Sequence, residues 1–276
     1  MGGRVGERTG AATGSAMLNR NLADAVAAVA REAGERALAR WRTDFRRWDK
    51  SPGNPVCEID LEIDALLRER LSALDPDAGW LSEETVDNAE RLTKERLWVV
   101  DPIDGTRDYI RGREGWAVSI ALVEAGQPVI GVLDCPPRAA VFRAEAGRGA
   151  TLNDVPIRAA HRTELAGARV PTEALPKADR DLVPVYRPNS IALRIAMVAA
   201  GEADLVATLR WGHEWDIAAA TLIAREAGAA ITDAFGQPFA FNTATAEAFG
   251  VLATARGLHD AAVERLSDRA RAQSRR

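Results

Sequence analysis

The run Trp98-Val99-Val100-Asp101-Pro102-Ile103-Asp104-Gly105-Thr106 places two carboxylates three residues apart at the end of an apolar stretch. Pro102 fixes the chain between them, and Gly105 permits a tight turn. Gly105 and Thr106 then open a short predicted helix, whose first N–H groups point outward as an anion site. Carboxylates beside such a helix end would repel a phosphate unless a cation lay between. The local chemistry is therefore carboxylate, metal, phosphate, and hard oxygen ligands of this kind suit Mg²⁺. The same residues also have a purely structural reading, because Asp and Thr at a strand-to-helix turn are common N-caps.

Two further acidic segments bear on that choice. Leu81-Ser82-Glu83-Glu84-Thr85 follows a short apolar stretch and, taken alone, reads as a solvated acidic loop. Glu214-Trp215-Asp216 leads into a predicted helix, where Asp216 alone would be an N-cap and Trp215 a hydrophobic staple. His161, His213 and His259 match no metal-ligand spacing and are read as surface or substrate-adjacent residues. Cys57 and Cys135 are the only cysteines, too few for a disulfide framework or a thiolate metal cluster. Cys135 is read as a buried small hydrophobe. A reduced, cytoplasmic setting is expected.

These residues need elements to hold them. Apolar residues at helical spacing predict a helix over 18–41 (Leu22, Val26, Val29, Ala30, Ala33, Ala37) and another over 60–74 (Ile63, Leu66, Leu67, Leu71). Pro52, Gly53 and Pro55 mark residues 44–55 as a loop. Glu58 and Asp64 are read as a solvated helix face. Strands are expected over 79–82, 97–100, 117–123, 128–133, 141–144 and 149–152, a meander that makes the first half α+β. In the second half, helices over 191–200, 217–227 and 258–266 alternate with strands over 203–208, 229–232 and 249–253, which suggests an α/β unit. The expected division is a disordered tail over 1–17, an α+β domain with the metal site over 18–157, and an α/β domain completing the site over 158–270.

The chain has 276 residues, 36 basic and 40 acidic side chains and a formal net charge of -4. That mild acidity argues against a nucleic-acid polymer as partner. No apolar run reaches the roughly 18 residues of a membrane span, and the first residues carry no apolar signal core.

Together, the three acidic segments resemble the inositol monophosphatase superfamily of Mg²⁺-dependent, lithium-sensitive phosphatases. The resemblance runs from about Leu18 to Leu266. Asp101 to Thr106 matches the family's first motif without a gap, and Trp215-Asp216 with Ala218, Ala219, Glu226, Ala227 and Gly228 matches its second. The Glu83-Glu84 pair lies at the expected place upstream. The resemblance implies a layered αβαβα sandwich of the inositol monophosphatase and fructose-1,6-bisphosphatase type. It implies that Glu83, Asp101, the carbonyl of Ile103, Asp104 and Asp216 hold two or three Mg²⁺ ions, and that Glu83 and Thr106 orient the attacking water. Ions held about 3.5–4 Å apart would stabilise both attacking and leaving oxygens. Gly105 and Thr106 would hold the phosphate through their N–H groups. Asp60 matches a family acid near the third metal or its waters, and the family usually has Thr where this chain has Cys57, so a weakened supporting hydrogen bond is expected there.

Substrate choice is read from further resemblances. Lys50, Glu214 and the stretch Asp108-Tyr109-Ile110-Arg111 resemble the branch, often called CysQ, that acts on 3′(2′),5′-bisphosphonucleosides. Ser190 in Pro188-Asn189-Ser190 and Glu214 would face the leaving group, although Ser190 is also a plain N-cap. The expected activity is a bisphosphate nucleotidase. The alternatives are an inositol-1-monophosphatase, a histidinol-phosphate phosphatase, or, in another class, a non-catalytic regulatory binding protein on the same fold. Homodimerisation is an expectation from the resemblance alone.

Overall fold

The structure, a computed structural model, describes the backbone of residues 9–274 and side chains from residue 21 onward. In chain order the elements are α1 (Thr9–Arg40), β1 (Arg47–Ser51), β2 (Asn54–Cys57), α2 (Glu58–Leu74), β3 (Gly79–Ser82), β4 (Arg96–Asp104), α3 (Thr106–Ile110), β5 (Ala117–Glu124), β6 (Gln127–Cys135), β7 (Ala140–Glu145), β8 (Ala150–Leu152) and β9 (Val155–Ile157). They continue with β10 (Arg169–Pro171), β11 (Val183–Val185), α4 (Ile191–Ala199), β12 (Leu205–His213), α5 (Ala218–Glu226), β13 (Ala230–Thr232), β14 (Glu247–Thr254) and α6 (His259–Ser274).

The continuous apolar run of β4 has a direct cause. Successive strand residues point to opposite faces, and both faces of this sheet are covered. Leu97 and Val99 enter one core with Ile195 and Ile223, while Trp98 and Val100 enter another with Val26 and Ile63. β5 divides in the same way, Ala117, Ala121 and Val123 against Val118, Ile120 and Leu122. β3 to β9 form a seven-stranded sheet in sequence order, parallel only between β3 and β4. α1 and α2 cover one face, and α4 and α5 lie on the other. All of α4 is buried, as a helix between two sheets must be. Beyond it lies a second sheet of order β12-β14-β13, with α6 on its outer side. The layers run helix, sheet, helix, sheet, helix, the sandwich expected from the sequence. No helix among the described residues is long and apolar enough to cross a membrane.

Several expectations change. Residues 1–8 of the expected tail lie outside the described residues, and from Thr9 the backbone belongs to α1. Residues 44–55 are largely a hairpin, β1 paired with β2 around Gly53 at φ 76°. β1 is exposed throughout, so it lacks the apolar alternation by which a strand is read. The second sheet is antiparallel in both of its pairings, because residues 233–246 return the chain from β13 directly alongside as β14.

Candidate functional site

β4 carries the first two carboxylates, and Pro102 determines how it presents them. Proline has no N–H to give to the ladder, and the register of β4 with β5 shifts between Asp101 and Asp104. Gly105 then turns the chain at φ 97°. A Cβ there would lie 2.6 Å from the Gly115 carbonyl and 2.9 Å from the Ser190 nitrogen, so only glycine fits without displacing backbone. Thr106 opens α3 directly after it. The third carboxylate, Asp216, comes from the link between β12 and α5 and accepts from the His213 N–H at 3.0 Å. It lies before the helix rather than at its start, since Ile217 is the N-cap residue.

Asp101, Asp104 and Asp216 offer oxygens that all lie within 4.8 Å of one another. Burial, together with the charges of Glu83 and its neighbours, holds Asp101 well above the ordinary carboxylate range. Burial and the Asp216 charge push Asp104 up to about 7, against hydrogen bonds from Ser190 and Ala192. Burial raises Asp216 to about 6, with Glu83 adding to it and the His213 N–H opposing. Hard oxygen donors, buried together and short of positive charge, fit a divalent cation.

Asp60 stands on the first turn of α2, fully buried. It accepts from the Cys57 N–H at 2.8 Å and from the Thr106 hydroxyl at 3.1 Å. Burial raises it to about 6, and the Cys57 side chain is the largest influence pulling it back. The Thr106 hydroxyl also lies 3.0 Å from the Ile103 carbonyl. Its single proton serves one of these acceptors at a time, leaving its lone pairs free to receive a water.

Glu83 extends the pairing of β3 with β4 through its N–H to the Val100 carbonyl at 3.3 Å. Its side chain lines the same cavity as the three aspartates but is paired with Lys50, 3.0 Å away. Lys50 also holds Glu84 at 2.6 Å. Burial pushes Glu84 up to about 7, with Lys50 pulling the other way. Asp64, read as solvated, is buried instead and accepts from the hydroxyls of Ser82 and Thr85. It anchors the loop that carries Glu83.

Two expected substrate contacts are corrected. Ser190 is fully buried; its hydroxyl donates to Asp104 at 2.6 Å and accepts from Leu193 N–H at 2.8 Å. With the Ala192 N–H at 2.8 Å, it fixes Asp104 against the start of α4. Glu214 is buried too, accepting from the N–H groups of Asn242 (2.7 Å) and Thr243 (2.9 Å). It anchors that loop and does not line the cavity.

The cavity measures about 500 Å³, and Arg107, Arg210, Trp211, His213 and Trp215 line it together with the carboxylates. Trp211 is 56% exposed. His213 stacks on Trp215 with ring centroids 4.3 Å apart and planes 12° from parallel. The sequence held a signal for this lining: Trp211 and His213 are two residues apart on β12, a spacing that puts side chains on one face of a strand.

Residues 18–271 match the inositol monophosphatase family. The chain belongs to that family. It is 36% identical over 200 residues to a Nus factor SuhB of Xylella fastidiosa, covering 67% of this chain and 70% of that protein. It is 29% identical over 240 residues to a 3′(2′),5′-bisphosphate nucleotidase CysQ of Aggregatibacter actinomycetemcomitans, covering 82% and 89%. Among solved structures, an IMPase of Thermotoga maritima superposes with a TM-score of 0.78 at 27% identity, covering 91% of this chain and 98% of that one. As a member of the inositol monophosphatase family the protein is a metal-dependent phosphatase that hydrolyses phosphate monoesters of small molecules.

Proposed function

We propose that the protein hydrolyses a small phosphate monoester with Mg²⁺, and that its substrate is a 3′(2′),5′-bisphosphorylated nucleoside such as adenosine 3′,5′-bisphosphate. The observation that carries the phosphatase reading is the meeting of Asp101, Asp104 and Asp216 within 4.8 Å beside the Thr106–Asp60 pair. In this reading those aspartates, the Ile103 carbonyl and Glu83 hold two or three ions, which when bound neutralise phosphate charge and activate water. Lys50 must release Glu83 for that role. The first N–H groups of α3, at Gly105 and Thr106, have no acceptor within their own helix and donate to the phosphate. The Thr106 hydroxyl, steered by Asp60, accepts from the attacking water and points it at phosphorus. Ser190 and the start of α4 keep Asp104 from turning away.

The nucleoside reading rests on the other residues that line the cavity. Trp211 and the stacked His213–Trp215 pair offer flat faces to a base, and Arg107 and Arg210 offer positive charge. The name of the Aggregatibacter relative agrees with it. Glu214 no longer contributes, since it is buried under a loop. The same reading divides the chain near residue 157, with Asp101 and Asp104 on one unit and Asp216 on the other. It also makes the protein a cytoplasmic homodimer, inhibited by lithium.

The test is kcat/KM with Mg²⁺ for adenosine 3′,5′-bisphosphate, inositol 1-phosphate and histidinol phosphate. A clear preference for the first supports the nucleotidase; a preference for either of the others replaces it with that activity. A second reading, a regulatory factor on the same fold, is suggested by the words Nus factor in the name of the Xylella relative. Release of phosphate from none of the three esters would favour it.

A further inference from the structure

Asp101 and Asp104 end a strand of the larger sheet, and Asp216 follows a strand of the smaller one, so their spacing depends on what ties the two sheets together. Glu214, two residues before Asp216, is held at both its backbone and its side chain. Its carbonyl accepts from the Ile217 N–H at 3.2 Å and from the Ala218 N–H at 2.9 Å, where α5 opens. Its carboxylate accepts from the N–H groups of Asn242 and Thr243, and from the Thr243 hydroxyl at 2.6 Å. Asp216 lies inside that held segment and so follows the 242–243 loop. The loop is gripped in turn by Arg91, on a 3₁₀ turn (Ala89–Thr93) that leads into β4. Arg91 is only 2% exposed. Its guanidinium donates to the Asn242 amide oxygen at 2.8 Å and to the Thr243 carbonyl at 2.9 Å. Asn242 returns its amide N–H to the Arg91 carbonyl at 3.2 Å. Asp87 takes the rest of the fork, at 2.6 and 2.9 Å. A planar guanidinium bonded to three residues at once holds a fixed geometry that a single ammonium does not. The Phe241 N–H gives the loop a second foothold, on the Gly126 carbonyl at 3.0 Å. Arg91, Asp87, Asn242, Thr243 and Glu214 all lie outside the lining of the catalytic cavity.

We propose that Arg91 is a positioning residue for the metal site: by gripping residues 242–243 it fixes Glu214, and through Glu214 it holds Asp216 where Asp101, Asp104 and Asp216 can share a cation. The inference rests on the metal-dependent phosphatase reading and deepens it. Without a cation the aspartates repel one another, and the clasp opposes their separation. Its loss weakens cation binding more than it slows turnover once the site is filled. Charge alone predicts the reverse. Arg91 is itself a cation, so removing it makes the surroundings more negative and would tighten Mg²⁺ binding.

The test compares cation binding to metal-free native protein, R91Q and N242G, by Mg²⁺ calorimetry and by electron paramagnetic resonance of Mn²⁺. Glycine at 242 keeps the φ of 61° and the N–H to Glu214, and loses only the two amide contacts with Arg91. Each variant should raise the Kd for the cation about five- to tenfold, the low end for partners that act behind a metal ligand. Their kcat at saturating Mg²⁺ should change little. R169Q is the comparison, because it breaks the Arg169–Asp204 ion pair (2.8 Å) at the other end of β12. It should lower Tm and leave the Kd native. A native Kd in R91Q and N242G, or tighter binding in R91Q, overturns the proposal and leaves the phosphatase reading intact. A rise in Kd as large in R169Q also overturns it, since general loosening would then account for the effect. If R91Q does not fold, N242G decides between the same outcomes. Because cation binding is read without turnover, a weaker Kd confined to the clasp variants supports the proposal even if none of the esters is hydrolysed.

Discussion

Asp101 and Asp104 are buried and Asp216 half-buried, where each charge raises the cost of the others, an arrangement that costs stability until a cation is bound. Replacing Asp101 by Asn removes one charge while keeping an acceptor for the Ile103 N–H, now 3.0 Å away. In EDTA at pH 7.5, Asp101→Asn should raise Tm by about 2–4 °C, the shift expected from ~1 kcal/mol in a chain of this size. It should also abolish the rise in Tm that Mg²⁺ gives the native protein. A lower Tm in EDTA would contradict this account of the cluster. The pH dependence has a definite sign. Asp60 and Asp216 at about 6 and Asp104 at about 7 stand above their unfolded values near ~4, so the folded chain binds more protons across that interval. Their stability contribution is therefore fully present at the acid end and is lost as pH rises through about 7. A melting series in EDTA from pH 5 to pH 8 should fall, and Mg²⁺ should flatten it. Thr106→Val should lower kcat by about 100-fold or more, measured as phosphate release, with Mg²⁺ binding retained. At this scale the sequence was informative where neighbours in the chain are neighbours in the site, as with Asp101 to Thr106. Ser190 and Glu214 misled because their partners, Asp104 and residues 242–243, are remote in sequence, and burial by remote partners leaves no local mark.

The site residues hold their places only if the elements do. α5 lies so close to β6 that a Cβ on Gly131 would stand 2.7 Å from the Ala219 carbonyl. Gly131→Ala must push α5 outward, and Asp216 sits immediately before that helix. The variant should lose about 1–3 kcal/mol by denaturant unfolding. It should also lose activity at temperatures where it remains folded, because Asp216 moves off Asp104. Full activity in a destabilised Gly131→Ala would uncouple the helix from the site. Elements buried on both faces, such as β4, β5 and α4, were legible because their burial fixes residue type at every position. Strand β1 was not, because an exposed strand places almost no demand on residue type, yet it delivers Lys50 to Glu83.

Across the whole molecule, the site forms where the two sheets approach each other. Asp101 and Asp104 end a strand of the larger sheet, α4 grips Asp104 from between the sheets, and Asp216 follows the edge strand of the smaller one. The order of layers was legible from the resemblance; the antiparallel second sheet and the grip of Arg91 on residues 242–243 required the assembled chain. The central claim is that this junction performs metal-dependent phosphate release. The most direct measurement is phosphate released from adenosine 3′,5′-bisphosphate, inositol 1-phosphate and histidinol phosphate as Mg²⁺ is titrated into metal-free protein, native and Asp216→Asn. The account predicts release from at least one ester that rises from near zero with Mg²⁺ and is lost in Asp216→Asn. Release that is equal in EDTA and in Mg²⁺, or that survives in Asp216→Asn, would contradict it.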